Sequence, residues 1–287
     1  MTWLVTGALG MLGTDLRTAL ERHQIPYEGV DLGDLDLLDE DAVAEAVSGH
    51  DVVVNCAAWT AVDKAEDHEP EAFMINAVAP ALLARAARRH DARIIHVSTD
   101  YVFAGDATAP YPEDGPAAPA SAYGRTKAAG EWAVRAEAPE QHLITRTAWL
   151  YGAHGGCFPK TIARLAAERG AVSVVDDQHG QPTWTTDLAE AMVRLVQADA
   201  EAGTWHTTSS GKTSWYEFAG EVVAAAGLSR DVVSPTDSAA FPAPAPRPAY
   251  SVLGHDRWHE HGIEPIGDWR ERWSVASGEV LAVDQPH

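Results

Sequence analysis

The sequence predicts a doubly wound α/β fold, a parallel sheet covered on both faces by helices. Short apolar strands alternate with helix-length segments through the first half of the chain. Strand segments such as Asp51-Val-Val-Val-Asn55 are continuous β-branched runs, which belong to strands buried on both faces. The first strand also runs directly into a glycine-rich turn, Thr6-Gly-Ala-Leu-Gly-Met-Leu-Gly13, at the head of a helix.

The elements follow in order. Trp3-Leu-Val-Thr6 reads as a strand, 10–22 as a helix, 27–31 as a strand, 39–47 as a helix and 51–55 as a strand. A long helix is predicted over 69–89 and a strand over 93–98. Residues 104–120 turn to proline, glycine and acidic side chains, the composition of a surface loop. Helix resumes near Ser121, and 143–147 is the next strand. Beyond Trp149 the rhythm weakens, with helices over 158–169, 186–197 and 215–226 and a short strand over 172–175. The stretch 235–248, rich in proline and alanine, predicts an extended strap. The last stretch, 277–287, has no pattern and reads as a tail.

Composition narrows the function. Apolar residues make up 46% of the 287, enough for packed cores, so global disorder is excluded. The net charge of −21 repels phosphate backbones and anionic membranes, which argues against nucleic-acid or membrane partners. An anionic substrate would need local cations and helix N-termini to overcome that field. No apolar run reaches the roughly 18 residues of a membrane span, and the N-terminus lacks a basic signal region; a cytosolic protein is expected. Cys56 and Cys157 have no metal-ligand spacing around them and read as bystander thiols.

The glycine turn carries the first chemical signal. Gly7 permits the tight turn, Gly10 lets the backbone approach a pyrophosphate, and Gly13 allows close helix–strand packing. With Leu9, Met11 and Leu12 they form a cofactor-binding loop at a helix N-terminus, the fingerprint of a Rossmann-like domain. Asp31, at the end of the second strand, suits the adenosine ribose hydroxyls or, alternatively, caps a turn. A carboxylate there repels a 2′-phosphate, and Leu32-Gly33 brings no compensating cation, so NADH is favoured over NADPH. Asp36 and Leu37 are placed at the adenine edge, and Ala57 and Ala58 leave room for the cofactor.

The second signal is Tyr123-Gly-Arg-Thr-Lys127. If Ser121 caps the helix, Tyr123 and Lys127 share one face. A phenol with pKa about 10 is a poor proton-transfer group at neutral pH, and a nearby ammonium with oxidised nicotinamide stabilises its phenolate. Lys127 can also hold the nicotinamide ribose. Thr99, with Ser98 as the alternative, can donate to a substrate carbonyl oxygen, and Asp100 can orient substrate hydroxyls; strand-end capping is the competing role. Together these residues predict hydride transfer at a carbon–oxygen bond.

The strings Val54-Asn-Cys-Ala-Ala-Trp-Thr-Ala-Val-Asp-Lys-Ala-Glu66, Ser98-Thr-Asp-Tyr-Val-Phe103, Arg146-Thr-Ala-Trp-Leu-Tyr151 and Asp177-Gln-His-Gly-Gln-Pro-Thr183 narrow the reading. With the glycine turn, the Tyr123–Lys127 pair, Ser210-Gly-Lys-Thr-Ser-Trp-Tyr216 and Pro246-Arg-Pro248, the chain resembles the extended short-chain dehydrogenase/reductases, and within them the dTDP-4-dehydrorhamnose reductases, to about residue 275. The resemblance implies a dinucleotide-binding Rossmann domain over 1–149, rejoined by about 184–206, with a smaller C-terminal α/β substrate domain mainly over 150–276. It also implies reduction by NAD(P)H of the 4-keto group of a dTDP-linked 6-deoxyhexulose. The product would feed dTDP-L-rhamnose or a deoxysugar of a secondary metabolite such as an antibiotic. Tyr123 would be the proton donor, Lys127 its tuner and ribose ligand, and Thr99 the carbonyl polariser. Thr60 falls in the cofactor segment, with Asp100 and Trp149 near the sugar; Trp149 has a core role as its alternative. Arg247 is the candidate diphosphate contact, or else an arginine of the strap. A homodimer is compatible with the resemblance. Some relatives bind magnesium through glutamates; Asp15 and Thr186 stand at two equivalent positions here, so no metal site is predicted. The rival readings are an epimerase or dehydratase on the same fold, and a non-catalytic regulatory subunit.

Overall fold

The computed structural model describes residues 1–282. Its sheet has six parallel strands: β1 (Trp3–Thr6), β2 (Tyr27–Val30), β3 (Val52–Asn55), β4 (Arg93–Thr99), β5 (His142–Thr147) and a last strand, Gly203–His206. In space they run Gly203–His206, β5, β4, β3, β1, β2. The chain therefore leaves β1 in one direction to reach β2 and crosses back to lay β3 on the other side of β1. That reversal opens a crevice beyond the carboxyl ends of the strands.

Alternation along each strand divides the core between two layers. Trp3 and Val5 point to the layer of helix α1 (Met11–Arg22) and helix Thr185–Gln197, with Leu16, Leu188, Met192 and Trp205. Leu4 points to the opposite layer, made by α2 (Glu40–Val47) and helices Ala79–Arg89 and Ala122–Glu137, with Val43, Leu83, Ile94 and Val134. Asp39 caps α2 through Asp41 and Ala42 N–H groups. A third core, with Tyr151, Phe218, Val222, Trp269 and Trp273, joins helices Phe158–Arg169, Trp215–Ala225 and Trp269–Val280. Ser214 and Glu217 form a reciprocal cap at the head of Trp215–Ala225.

Three expectations need correction. The helix expected over 69–89 is broken by a π-helical turn, Met74–Val78, between Glu69–Phe73 and Ala79–Arg89. The strap begins later than 235, because Val233–Thr236 pairs in parallel with Val172–Val175 and Pro235 sits in that two-stranded edge. The tail does not begin at 277: helix Trp269–Val280 continues through it because Ala276 and Val280 are buried in the third core. The remainder of that predicted tail, 283–287, lies outside the described residues.

Candidate active site

The carboxyl ends of β1 to β5 open into one cleft of about 1720 Å³. It is lined by every residue predicted above to bind cofactor or substrate or to act in catalysis, from Gly7, Leu9, Gly10, Met11, Leu12 and Gly13 to Trp149 and Arg247.

The glycine turn has the geometry that its chemistry asks for. Gly7 adopts φ +67°, and a Cβ there would lie 2.7 Å from the Ala57 amide nitrogen. A Cβ on Gly13 would overlap the Gly7 carbonyl oxygen, so its hydrogen is what lets α1 pack onto the turn. Gly10 is the N-cap of α1, with no side-chain oxygen to close off the first N–H groups. Those donors face a cleft that can take a pyrophosphate, so the turn fits a dinucleotide. Asp31 lines the cleft and also caps its turn, accepting from Leu9 N at 2.8 Å and Leu32 N at 2.7 Å. Asp34 and Asp36 line the same end, where Leu32 is 96% exposed. Among the described residues, the only cations in the cleft lining are Lys127 and Arg247.

Ser121 caps the helix Ala122–Glu137 by accepting from Gly124 N at 3.1 Å, which sets Tyr123 and Lys127 on the cleft-facing side. Burial pushes the Tyr123 phenol up to about 12, against the opposing effect of the Thr99 hydroxyl. Tyr123 is therefore a neutral O–H at physiological pH, the form a proton donor needs. Lys127 is not directed at the phenol here: its Nζ donates to Val97 O at 2.6 Å. Burial lowers the Lys127 ammonium to about 8, while the Glu131 carboxylate one turn on opposes the drop. The expected lowering of the phenol by the ammonium is thus absent from the chain alone.

The hydroxyls at the end of β4 divide their tasks. Ser98 Oγ donates to Glu131 Oε1 at 2.6 Å, deep in a buried network where Glu131 also accepts two bonds of 2.8 Å from Arg146. Burial alone would raise the Glu131 carboxyl, but Arg146, Ser98 and Arg135 hold it below the usual range. Ser98 is thereby committed to the framework, and Thr99 is the hydroxyl left beside Tyr123. Thr99 Oγ1 donates to Asp100 Oδ1 at 2.9 Å. Asp100 is buried, which pushes its carboxyl up to about 6 despite the nearby Ser251 and Thr99 hydroxyls. Its Oδ2 and the Thr147 hydroxyl have no hydrogen-bond partner among the described residues, and both residues line the cleft. Polar atoms buried without a partner are costly, so this part of the cleft suits a polyhydroxylated ligand.

Reasoning from sequence missed several contributors. Asn76, in the π-helical turn, accepts from Trp59 N at 2.9 Å and donates to Trp59 O and to Thr126 Oγ1 at 3.1 and 3.0 Å. It thereby ties the segment after β3 to the helix carrying Lys127. Its only signal was a lone polar residue in an apolar helical stretch. Trp215 and Phe158 were also missed. The Trp149 indole stacks on Trp215 with ring centroids 3.5 Å apart, and Phe158 leans on Trp215 at 4.4 Å. Trp149 adopts φ +48°, a strained backbone for a large residue. It is a wall of the cleft rather than a member of the three cores. Asp15 is buried and bonded to Thr185, with His154 Nε2 3.5 Å away.

The whole-chain comparisons agree with this geometry. A family model described as the RmlD substrate binding domain matches residues 1–279. A dTDP-4-dehydrorhamnose reductase of Streptomyces griseus is 47% identical, over 93% of this chain and 90% of its own. The chain belongs to the dTDP-4-dehydrorhamnose reductase family. A probable dTDP-4,6-dihydroxy-2-methyloxan-3-one 4-ketoreductase of Streptomyces antibioticus is also 47% identical, covering 100% of this chain and 98% of that relative. Among solved structures of the family, the reductase of Clostridium acetobutylicum superposes with a TM-score of 0.92 at 40% identity, covering 96% and 98% of the two chains. That of Bacillus anthracis, in complex with NADP, gives 0.92 at 35% identity, covering 97% and 99%. Family membership makes the chain an oxidoreductase of the nicotinamide-dependent type. Among the described residues no helix is long and apolar enough to cross a membrane.

Proposed function

We propose that this chain reduces the 4-keto group of a dTDP-linked 6-deoxyhexulose, with NADH as the preferred donor. The observation that carries the reading is the convergence of the Gly7–Gly13 turn, Thr99 and the Tyr123–Lys127 pair on one cleft. The bound nicotinamide supplies the hydride. Gly7 to Gly13, Asp31, Asp36, Leu37, Ala57, Ala58 and Thr60 hold that cofactor. The Thr99 hydroxyl polarises the ketone, and Tyr123 Oη gives its proton to the oxygen as alkoxide develops. Lys127 binds the ribose and keeps positive charge near the phenolate left behind. Asp100 takes a sugar hydroxyl, Trp149 bounds the sugar, and Arg247 meets the diphosphate.

The acidic rim of Asp31, Asp34 and Asp36 supports NADH, since the cleft lining there offers a 2′-phosphate carboxylates and, among the described residues, no cation. The segments from 1–149 and about 184–206 form the cofactor domain in this reading, and most of 150–276 forms the sugar-nucleotide domain. A dehydratase would need an acid–base pair beside the tyrosine, and Asp100 is followed by Tyr101.

The test is absorbance at 340 nm on mixing the protein with NADH and dTDP-4-keto-6-deoxyhexoses. Turnover is expected, with Tyr123→Phe slowed by about 10²-fold or more and its NADH affinity little changed. Failure with every such sugar would sink the reading; an unslowed Tyr123→Phe would remove Tyr123 from its role.

A further inference from the structure

The cleft poses an electrostatic problem that its catalytic residues do not solve. The chain carries a net charge of −21, and Asp31, Asp34, Asp36 and Asp100 line the cleft. A sugar nucleotide brings two more negative charges on its diphosphate. Of the two cations in the lining, Lys127 is buried and bonded to Val97 O. Arg247 is the one left for the substrate, and it sits on a segment poorly suited to hold it. Phe241-Pro-Ala-Pro-Ala-Pro-Arg-Pro248 contains four prolines and belongs to none of the strands.

Asp63 compensates. Its Oδ2 accepts from Arg247 Nη2 at 2.8 Å, and its Oδ1 accepts from Ala245 N at 3.2 Å. One carboxylate thus grips both the arginine and the backbone two residues before it. On the far side, Pro248 packs on Gly105, and Tyr250 N donates to Gly105 O at 2.9 Å. The strap is tied to the short helix Val62–Ala65 after β3 and to the loop after β4. The guanidinium uses one of its five N–H donors on Asp63 and one, at 3.4 Å, on Ala245 O. Both Arg247 and Asp63 act electrostatically on Tyr101, whose ring meets Tyr123 edge-on at 5.6 Å.

We infer that Asp63 is a positioning residue that aims Arg247 at the diphosphate of the sugar nucleotide. The inference rests on the proposed function for the identity of that anion. A long side chain ordered before binding spares the ligand the entropy of ordering it, and the planar fork can still offer N–H groups to phosphate oxygens. The alternative is that Asp63 only competes with the substrate for the arginine. The two differ in sign, because an aimed cation binds less well when Asp63 is neutralised and a quenched cation binds better.

The experiment uses the full chain with Asp63→Asn, Arg247→Ala and the double variant. The pair is partly solvent-exposed, with side-chain exposures of 28% and 44%, so melting temperatures should hardly move. Calorimetric affinity for dTDP and KM for the keto sugar are expected to weaken by about tenfold in Asp63→Asn. Its kcat and KM for NADH should stay within about twofold, and the double variant should be no worse than Arg247→Ala. Unchanged or tighter dTDP binding by Asp63→Asn overturns the inference, as does a loss fully additive with that of Arg247→Ala. A wild-type protein that binds dTDP but reduces no keto sugar defeats the functional reading while leaving the role of Asp63 to be scored by binding. One that does not bind dTDP defeats both.

Discussion

The buried ammonium of Lys127 makes the alkaline side of the activity profile calculable. An ordinary lysine loses its proton near 10.5, but burial brings Lys127 to about 8. Tyr123, pushed up to about 12, stays protonated throughout the measurable range and cannot produce a limb there. Below pH 8 Lys127 is charged and the site is complete; as pH rises through 8 the charge is lost and the rate falls. One unit above that value about one molecule in ten keeps the ammonium, so kcat/KM at pH 9 should be roughly a tenth of its plateau. The ratio kcat/KM reports the free enzyme, the state in which Lys127 is bonded to Val97 O. The assay is initial rates of NADH oxidation from about pH 6.5 to 9.5 in buffers of constant ionic strength. A profile flat to pH 9.5, or one that breaks only near 10.5, would refute the claim that burial tunes Lys127 and that its charge is needed.

Other consequences follow from the same network. Glu131→Gln removes the carboxylate that supports the Lys127 ammonium, so the alkaline limb should move to lower pH. It also strands the buried Arg146 charge, at a cost of about 3 kcal/mol, lowering the melting temperature by roughly 6–12 °C in a calorimetric scan. Asp100→Asn should act oppositely on stability. The Asp100 pKa is raised, so its favourable contribution exists below about 3.8 and is lost as pH rises through about 6. At pH 7.5 the ionised form costs on the order of 3 kcal/mol, and the variant should melt several degrees higher while losing activity. Wild type and variant should converge toward pH 4. Leu32→Arg places a cation beside Asp31, the proposed ribose ligand, and should shift the NADPH/NADH ratio of kcat/KM toward NADPH by about tenfold or more. An unaltered ratio would separate cofactor choice from that position.

The sheet was legible because its signals are local. Val52–Asn55 is apolar on both faces, and Thr6 to Gly13 joins a strand end, a tight turn and a helix start within eight residues. The Tyr123–Lys127 spacing became readable once Ser121 was taken as the cap, and the cap is there. What escaped is long-range. The stacking partner of Trp149 lies 66 residues on, at Trp215, and no pattern near either announces the other. Asp63 and Arg247 are separated by 184 residues. The π-helical turn at Met74–Val78 exists to seat Asn76 between Trp59 and Thr126, a demand invisible to helical periodicity. The first part of the predicted tail, 277–280, was misread for a similar reason. Trp269–Val280 has little amphipathic pattern, yet Trp269, Trp273, Ala276 and Val280 all reach the third core.

Deuterium tracing from NADH labelled at nicotinamide carbon 4 tests the central claim most directly. With a dTDP-4-keto-6-deoxyhexose as acceptor, NMR of the product should find the label on carbon 4 of the sugar, one deuterium per NADH oxidised, with Tyr123→Phe forming almost none. Label at another carbon, or product formed without it, would contradict the account.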